Sequence, residues 1–535
     1  MAKSAKPDAV KVNCIGFLPG ARKTVYFRMD APETTFRVAD AEGNAVFRGE
    51  ITRVAESQTS GERTGSGDFT HLTTPGVYRV ETDTLGASCS FAIGKNVYSG
   101  VFRDVMRMFY LQRCGVELDA NHAGVFAHPA CHDSPARVVD TGERRDVSGG
   151  WHDAGDYGRY VVPAAKAVMD LLLAYCHAPG VFTDDTGIPE SGNGLPDVLD
   201  EARFELEWML KMQAQSGGVN HKVTCAKFPG FIMPEEETEE LLLSPVSTCA
   251  TADFCGVLAF ASRVYAPFDS AFAATCLDAA KRAYEYLERT PFACFYNPSG
   301  IETGQYEDGS DADERYFAAC ALLYATGEPR FYEAARNHAN PAFADGLGWE
   351  DMGAYGNALY LMANESDTDS ALRERIQREQ IAAADKLISL SEQDGYFNSL
   401  THCRWGSNMY LLNNAMLLLM ANDILPNEAY VRVAAAHADY LFGANPMSVS
   451  YVTGYGTVCP EHPHHRPSAA RNQAMPGMLV GGPDEYLQDD CARELLGGAP
   501  PAKCYVDDLR SYSTNEIAIY WNSPLIYVLA RLGWH

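Results

Sequence analysis

The sequence lacks the features that mark a membrane protein or a nucleic-acid-binding protein. None of its 535 residues belongs to an apolar run of about eighteen, so no segment is predicted to span a membrane. Only 43 Lys and Arg stand against 70 Asp and Glu, and the formal charge of −27 repels nucleic acid and anionic membranes at long range. Neither is expected as a partner, whereas a neutral polysaccharide is compatible with this charge.

Two further features are not visible in the sequence as given. The first ten residues, MAKSAKPDAV, have no apolar stretch of the kind found in a signal peptide. The expected location is therefore conditional: secreted or periplasmic if such a peptide has been removed, and otherwise open. Low-complexity tracts and short-period repeats are also lacking, so the sequence predicts a folded globular protein.

Cysteine is plentiful, but its distribution does not indicate a disulfide framework. Fifteen is an odd number, and a chain of this length does not need disulfides to stabilise its core. Most cysteines lie in apolar helical stretches, among them Cys249, Cys255, Cys276 and Cys320. A buried thiol acts there as a small hydrophobic group, and the usage favours a reducing or anaerobic setting.

Two patterns divide the chain into a small domain at residues 1–96 and a large one at 97–535. The first contains short alternating segments broken by Pro and Gly, which predict a small β-sandwich with strands at 10–12, 24–28, 35–38, 45–49, 77–82 and 88–93. The second has apolar residues at helical spacing and predicts twelve helices, at 98–114, 159–177, 196–214, 247–265, 270–289, 312–326, 329–339, 350–364, 369–391, 406–422, 427–442 and 514–532. Twelve helices with the His, Trp and Gly-rich motifs on their loops fit an (α/α)6 barrel.

Two carboxylates three residues apart, Asp153 and Asp156, lie in the glycine-flanked segment GGWHDAGDYGRY at 149–160. Acids at this spacing can face one small volume, where repulsion between them keeps one available as a base. Most such pairs only cap a turn. A third carboxylate, Glu516, lies in DDLRSYSTNEIAIYW and is predicted at the start of the last helix, where a glutamate often serves only as a capping residue.

Other side chains also have two interpretations. His464 and Arg466 in the histidine-rich loop YVTGYGTVCPEHPHHRPS fit a sugar site or a metal site equally well. The soft sulfur and imidazole of Cys114, Cys131, His132 and His152 suit structural zinc, yet their spacing is also that of ordinary buried thiols and surface histidines. The acidic loop at 307–314 is either a calcium site or a solvated loop.

Taken together, these motifs resemble those of the family-9 glycoside hydrolases, an inverting cellulase family. The segment at 149–160 resembles the general-base motif, the string from Asp508 to Glu516 resembles the acid motif, and the Pro-His-His-Arg run resembles the substrate-binding signature. The opening VNCIGFLPGARK is similar to the immunoglobulin-like module that precedes the catalytic domain in one subgroup.

The resemblance implies a fold and a set of roles. The fold is mostly α, an (α/α)6 barrel after a small all-β immunoglobulin-like sandwich. Asp156 is implied as general base, Asp153 as the residue that holds the attacking water, and Glu516 as general acid. Contacts with sugar are implied for His221, Trp349, Trp405, His464, Arg466 and Trp521. Zinc is implied at Cys114, Cys131, His132 and His152, where the metal would hold the catalytic turn in place.

The implied activity is inverting hydrolysis of β-1,4-linked glucans, with endo action preferred and a polysaccharide or oligosaccharide as partner. An exo-acting relative, such as a cellobiohydrolase or a glucosaminidase, would differ only in the loops that close one end of the cleft. A non-catalytic carbohydrate-binding protein on the same scaffold is the remaining alternative. Such a protein has no need of an acid and a base, so the retention of all three carboxylates argues against it.

Overall fold

The structure is a computed structural model that describes residues 8–535. The chain divides into two compact units. One contains the segment that ends at Met106 together with Ala384–His464 and Asn472–His535, and the other contains Arg107–Ala383 and His465–Arg471. Over residues 8–535, no helix combines the length and apolarity that crossing a membrane requires.

The N-terminal part of the first unit is built from eight strands: β1 (Val10–Lys11), β2 (Gly16–Phe17), β3 (Thr24–Arg28), β4 (Thr35–Ala39), β5 (Ala45–Ser57), β6 (Glu62–Asp68), β7 (Gly76–Glu81) and β8 (Phe91–Ile93). They are hydrogen-bonded in the order β1-β3-β6-β5-β4-β7-β8-β2. The first half of β5 pairs with β4 and the second half with β6, and the register shifts between Ile51 and Arg53. One long strand with a bulge thus belongs to both layers, a common way to build the corner of a sandwich.

The strand pattern confirms the predicted sandwich, but two strands, β2 and β6, were not predicted. The sequence of β6 is ERTGSGD, which has neither apolar alternation nor β-branched bulk. Its glycines are required by packing, because a Cβ on Gly67 would lie 2.3 Å from the Phe36 ring and one on Gly65 would lie 2.6 Å from Ile51. The strand was missed because its apolar cover comes from neighbouring strands and not from its own side chains.

All twelve predicted helices are present, two of them at the predicted bounds and the others with one or both ends shifted by a few residues. Their bounds are Ser99–Leu111, Val161–His177, Asp197–Met212, Thr248–Tyr265, Ser270–Arg289, Ala312–Thr326, Pro329–His338, Gly353–Met362, Ser370–Gln393, Ser407–Ile424, Glu428–Leu441 and Ile519–Leu532. Four shorter helices, Ala120–Ala123, Arg466–Ala470, Asp490–Leu496 and Tyr512–Asn515, lie within the connections. In the second unit, Val161–His177 and Thr248–Tyr265 are buried on nearly every face, as expected for helices that line a core.

Short strands on the connections of the second unit form two small sheets. Five of them pair in the order Arg144–Arg145, Ala136–Val138, Leu242–Leu243, Lys222–Thr224 and Arg159–Tyr160. Val219–Asn220 pairs with Val246–Ser247. The larger sheet ends at Arg159–Tyr160, directly after the segment that carries Asp153 and Asp156, and thereby fixes the end of that segment.

The predicted position of Glu516 at the start of the last helix is wrong. The helix begins at Ile519, and Glu516 follows the short helix Tyr512–Asn515 in extended backbone with φ −73° and ψ 160°. The polar run that precedes it forms a helical turn of its own, which the continuous pattern did not reveal. Because Glu516 is outside the last helix, the capping-residue interpretation no longer accounts for it.

The four helical thiols named in the sequence analysis are buried, as predicted. All fifteen cysteines lie within residues 8–535, and none forms a disulfide. Those predicted to be buried, Cys249, Cys255, Cys276 and Cys320, are at most 4% exposed.

Candidate active site

The segment with the two aspartates is held by backbone hydrogen bonds to a neighbouring strand-like segment. Cys114 N donates to Gly150 O over 2.8 Å, and His152 N donates to Gln112 O over 2.7 Å. Gly150 has a φ of +76°, and a Cβ on it would lie 2.7 Å from the Trp208 ring. Only glycine fits there, which accounts for the glycine pair that opens the motif.

Both carboxylates of this turn are buried, Asp153 to 1% exposure and Asp156 to 5%. Asp156 Oδ2 accepts hydrogen bonds from Gly158 N at 3.0 Å and from the Tyr160 hydroxyl at 3.1 Å. Asp153 Oδ2 accepts one from the Tyr306 hydroxyl, whereas its buried Oδ1 has no hydrogen-bond partner within residues 8–535. One carboxylate oxygen therefore remains to bind a ligand such as a water molecule.

Burial raises the pKa of both aspartates, but their surroundings differ. The pKa of Asp153 lies well above its usual value because the group is desolvated and Asp156 is close by, while the hydrogen bond from Tyr306 acts in the opposite direction. The pKa of Asp156 is also raised by burial, and the Arg466 guanidinium opposes that rise. The nearby cation thus favours the charged form of Asp156, which is the form that a general base needs.

Tyr306 is a member of this site that the sequence did not reveal. It lies 153 residues from its partner Asp153, and its own backbone has a φ of +47°. Its ring packs edge-on against Trp349, with centroids 5.0 Å apart, and lies tilted against the Tyr160 ring at a centroid distance of 4.8 Å. Trp349, one of the predicted sugar-binding aromatics, contacts the ring whose hydroxyl is hydrogen-bonded to Asp153, and it is only partly buried, so part of its surface is accessible.

We expect Tyr306→Phe to lower kcat by about tenfold or more with a smaller change in KM. The substitution removes the hydrogen bond that Asp153 Oδ2 accepts, and leaving a buried acceptor without its donor costs roughly 1–3 kcal/mol. Steady-state kinetics on a cello-oligosaccharide measures the effect. Tyr332→Phe is the matched control, because its hydroxyl lies 3.5 Å from Asp369, a tyrosine–aspartate pair outside the site. Equal kinetics for the two variants would remove Tyr306 from the site.

His221, predicted to contact sugar, is fully buried in this structure. Its Nδ1 lies 2.9 Å from Ser247 Oγ and its Nε2 lies 3.0 Å from Gln305 O, so both ring nitrogens have partners in the chain. The neighbouring Lys222 donates to Thr303 and Gly304 O, and burial lowers its pKa to about 7. These two side chains hold the segment that carries Tyr306, and direct contact of His221 with sugar stays a prediction.

Arg466 lies beside the turn that contains Asp153 and Asp156. Its Nη1 donates to Gly155 O at 2.6 Å and its Nε donates to Pro229 O at 3.1 Å. Gly155 separates the two aspartates, so this guanidinium both positions the turn and supplies the positive charge near Asp156. The preceding residue, His465, places Nε2 3.0 Å from Gln112 Oε1, a second link to the segment that holds the turn.

The third carboxylate belongs to the other compact unit and is half-buried. Glu516 forms a parallel bridge with His464, and Gly481 N donates to Glu516 O at 2.9 Å. The histidine-rich motif and the acid motif, separated in sequence, are therefore paired side by side. Tyr512, four residues before Glu516, contacts the His464 ring at a centroid distance of 5.9 Å.

The two tryptophans predicted in this unit differ in exposure. Trp405 is 36% exposed and packs against Tyr512, with ring centroids 5.4 Å apart. Trp521 is 3% exposed, and a Cβ on Gly406 or Gly481 would lie 3.1 Å from its ring. Trp405 thus has a surface available to a ligand, whereas Trp521 supports the loops that lie over it. Sugar contact at either position stays a prediction.

The four predicted zinc ligands form one buried cluster, with all ligand atoms within 4.8 Å of one another. Cys114 Sγ lies 3.8 Å from His132 Nδ1, Cys131 Sγ lies 3.9 Å from His152 Nε2, and the two nitrogens are 3.4 Å apart. Tetrahedral zinc with ordinary bond lengths requires about 3.6 Å between sulfur and nitrogen and about 3.4 Å between two nitrogens. The donor set therefore fits zinc in both chemistry and spacing.

A carboxylate supports this cluster from outside. His132 Nε2 lies 2.9 Å from Glu237 Oε2, which leaves Nδ1 directed toward the other ligands. An acidic partner on the far nitrogen is the usual arrangement for a metal-binding histidine. Glu237, like Tyr306, is distant in sequence from the residue to which it is hydrogen-bonded, and no local sequence pattern identified it.

With this geometry established, comparison with known proteins decides the family. The profile for glycosyl hydrolase family 9 matches residues 98–529, and that for the cellulase N-terminal ig-like domain matches residues 5–87. The chain belongs to glycosyl hydrolase family 9. It is therefore a glycoside hydrolase, with the predicted mostly helical (α/α)6 barrel preceded by an immunoglobulin-like sandwich.

Family 9 relatives match this chain along nearly its whole length. A cellodextrinase from Butyrivibrio fibrisolvens is 38% identical, and the alignment covers 98% of this chain and 99% of the relative. A thermostable endoglucanase from Alicyclobacillus acidocaldarius, solved as a single mutant, is 40% identical with a TM-score of 0.93 over 98% of this chain and 99% of that one. A Zn-binding triple mutant of a family 9 endoglucanase is 36% identical with a TM-score of 0.91, and the superposition covers 96% of this chain and 99% of that chain.

Proposed function

We propose that this family 9 hydrolase is an endo-β-1,4-glucanase that cleaves with inversion of the anomeric configuration. Asp156 removes a proton from the attacking water, Asp153 helps to hold that water, and Glu516 protonates the departing glycosidic oxygen. His464 and Arg466 bind the sugar whose bond is broken, and Trp349 and Trp405 offer stacking surfaces for its neighbours. The proposal extends to His221 and Trp521 as members of the substrate site.

The observation that carries this proposal is the pair of buried carboxylates with different environments. Asp156 has a cation nearby and two hydrogen-bond donors, whereas Asp153 has one donor and an oxygen without a partner within residues 8–535. A protein that only binds carbohydrate gains nothing from burying two acids side by side, because each disfavours ionisation of the other. The endoglucanase and cellodextrinase relatives support β-1,4-glucan as the substrate class.

The stereochemical test uses the first-formed product. We expect proton NMR to show the α-anomer first, because water attacks the face opposite the leaving group of a β-linked sugar. Glu516→Gln should abolish hydrolysis of unactivated glucans and retain much of the cleavage of a substrate with an acidic phenol as leaving group, which does not need a proton. A first-formed β-anomer would contradict the role given to Asp156, and equal losses on both substrates would contradict the role given to Glu516.

The mode of cleavage is tested by viscosity. We expect a rapid fall in the viscosity of a soluble β-1,4-glucan while few reducing ends have formed, since an endo-acting enzyme cuts within the chain. Carboxymethylcellulose and a mixed-linkage glucan are suitable polymers, with reducing ends measured in the same samples. Steady release of one short product at nearly constant viscosity would instead establish an exo-acting member of the family.

We propose structural zinc at Cys114, Cys131, His132 and His152. The fit of the four donors supports it, as does a Zn-binding variant among the structural neighbours. The metal's contribution is structural: it fixes His152, and His152 immediately precedes Asp153. No step of the hydrolysis requires it as a Lewis acid in this proposal.

Calcium is proposed at the acidic loop predicted at 307–314. The ligand atoms of Asp308, Glu314 and the neighbouring Cys249 all lie within 4.8 Å of one another, and both Glu314 oxygens are buried without hydrogen-bond partners within residues 8–535. Both carboxylate oxygens of the nearby Asp253 are also buried without hydrogen-bond partners within residues 8–535. Burial and the charge of Asp253 raise the pKa of Glu314 well above its usual value. Buried carboxylate oxygens that lack donors are suitable ligands for a hard cation.

We also propose a domain boundary between residues 96 and 97. The last sandwich strand ends at Ile93 and the first long helix begins at Ser99. The match to the N-terminal domain ends at residue 87, and the match to the hydrolase family begins at residue 98.

A further inference from the structure

Two phenylalanines on one loop of the second compact unit are exposed although the loop itself is firmly held. Phe228 is 48% exposed and Phe231 is 40% exposed. They belong to the segment KFPGFIMPEEE, residues 227–237, which has no role in the proposed mechanism. Large aromatic side chains that are left in water lose the free energy of burial, so a pair of them on an ordered loop requires an explanation.

This loop is held at three points, two through its backbone between and beyond the two rings and one through a side chain. Arg466 Nε donates to Pro229 O at 3.1 Å, and the Tyr157 hydroxyl donates to Ile232 O. Further along, the Glu237 carboxylate lies 2.9 Å from His132 of the metal cluster. Each anchor leads back to the catalytic turn or to the cluster that supports it. The exposed rings are therefore presented by a rigid segment and not by a loose surface loop.

Arg466 also connects the rings to the site of chemistry. Its guanidinium carbon lies 5.6 Å from the Phe228 ring centroid and 5.7 Å from that of Phe231. The same guanidinium donates to Gly155 O, between the two aspartates. The aromatic surface is therefore continuous with the catalytic turn through a single side chain.

We propose that Phe228 and Phe231 form a stacking platform for a glucosyl unit of the substrate chain, adjacent to the unit bound at Asp153 and Asp156. This inference rests on the proposed function. The faces of a β-linked glucosyl ring carry C–H groups and are flat and weakly polar, and such faces bind to aromatic rings. Arg466, whose guanidinium carbon lies 5.6 and 5.7 Å from the two ring centroids, keeps the platform aligned with the catalytic turn.

The platform has a kinetic consequence. It contacts a part of the substrate that does not change during bond cleavage, so its binding energy lowers KM more than it raises kcat. Only chains long enough to reach the platform benefit. The enzyme should therefore prefer longer oligosaccharides, and the two phenylalanines should account for part of that preference.

The test compares Phe228→Ala, Phe231→Ala and the double variant with the wild type on cello-oligosaccharides of two to six glucosyl units. We expect each single substitution to raise KM for the longest oligosaccharide by about threefold, and the double substitution by about tenfold, with little effect on the shortest substrate that is cleaved. Phe228→Tyr and Phe231→Tyr, which keep a stacking ring, should restore the preference for long chains.

Two exposed phenylalanines elsewhere in the same unit serve as controls. Phe268 and Phe292 are 45% and 39% exposed, and Phe268→Ala and Phe292→Ala should leave the dependence of KM on chain length unchanged. Melting temperatures of all variants show whether the fold is retained. Binding of cellohexaose to Asp156→Asn, with and without the two alanine substitutions, gives a calorimetric measurement that does not depend on turnover.

The outcomes separate this inference from the proposed function. If the wild type cleaves β-1,4-glucans and the double variant keeps the wild-type dependence on chain length and the same calorimetric affinity, the platform is overturned and the proposed function stands. If the wild type cleaves no β-1,4-glucan, both are overturned. A loss of chain-length preference confined to the Phe228 and Phe231 variants supports the platform.

Discussion

Asp156→Asn should lower kcat on cello-oligosaccharides by about 10³-fold while KM changes little. A positioned general base contributes roughly 10²- to 10⁴-fold, and an amide of nearly the same shape cannot accept the proton of the attacking water. The carbonyl oxygen of the introduced amide can still accept the hydrogen bonds from Gly158 N and the Tyr160 hydroxyl, so the turn keeps its form. Single-turnover kinetics separates this loss from slower product release.

Rescue by azide distinguishes a base from a merely structural acid. In Asp156→Ala, azide can enter the space of the lost carboxylate and attack the anomeric carbon without deprotonation, so we expect recovered turnover and an α-glycosyl azide as product. Asp278→Asn, an exposed aspartate on a helix of the same unit, is the matched control and should behave as the wild type. Near wild-type turnover of Asp156→Asn would refute the assignment.

The pH dependence follows from the same residue. Burial raises the pKa of Asp156, and a base works only when ionised, so activity is full above this raised pKa and is lost as the pH falls through it. The acidic limb of the kcat/KM profile should therefore lie above the range of an ordinary aspartate. Arg466→Gln removes the positive charge that opposes the increase in the pKa of Asp156. We therefore expect this variant to lose activity at a still higher pH than the wild type does.

Loss of the metal should produce the second large effect. We expect one zinc per chain by elemental analysis, and we expect Cys114→Ser to lower the melting temperature by about 10 °C or more and to reduce kcat in parallel. A structural metal contributes folding free energy directly, and breaking its ligand set leaves polar groups buried without partners. Turnover falls because His152 adjoins Asp153, and a catalytic carboxylate must be held to within about 0.5 Å.

Cys320→Ser is the matched control for this effect. Cys320 is fully buried, as Cys114 is, but it lies outside the cluster. The variant should lose some stability from burying a hydroxyl and should retain its zinc. A chelated preparation without metal should show the lower melting temperature of Cys114→Ser, and readdition of zinc should reverse it. A metal-free protein with unchanged melting temperature and turnover would show that the cluster is an ordinary set of buried side chains.

The elements and the motifs of this protein are largely determined by local sequence. Helices such as Ser270–Arg289 and Ala312–Thr326 were predicted at their observed bounds, because apolar spacing of three and four residues is a property of the segment itself. The glycine-flanked turn that contains Asp153 and Asp156 is likewise a local arrangement. Resemblance to known motifs then sufficed to indicate the family.

The partners of these residues were decided by the tertiary structure. Tyr306 reaches Asp153 across 153 residues, and Glu237 reaches His132 across 105, so no window of sequence contains both members of either pair. Strand β6 and the true start of the last helix were missed for a related reason: Phe36 packs over Gly67 from another strand, and Glu516 is aligned by pairing with His464. Sequence determines which chemistry a segment carries, whereas the burial that raises the pKa of Asp156, and the cation that opposes it, exist only once distant segments pack together.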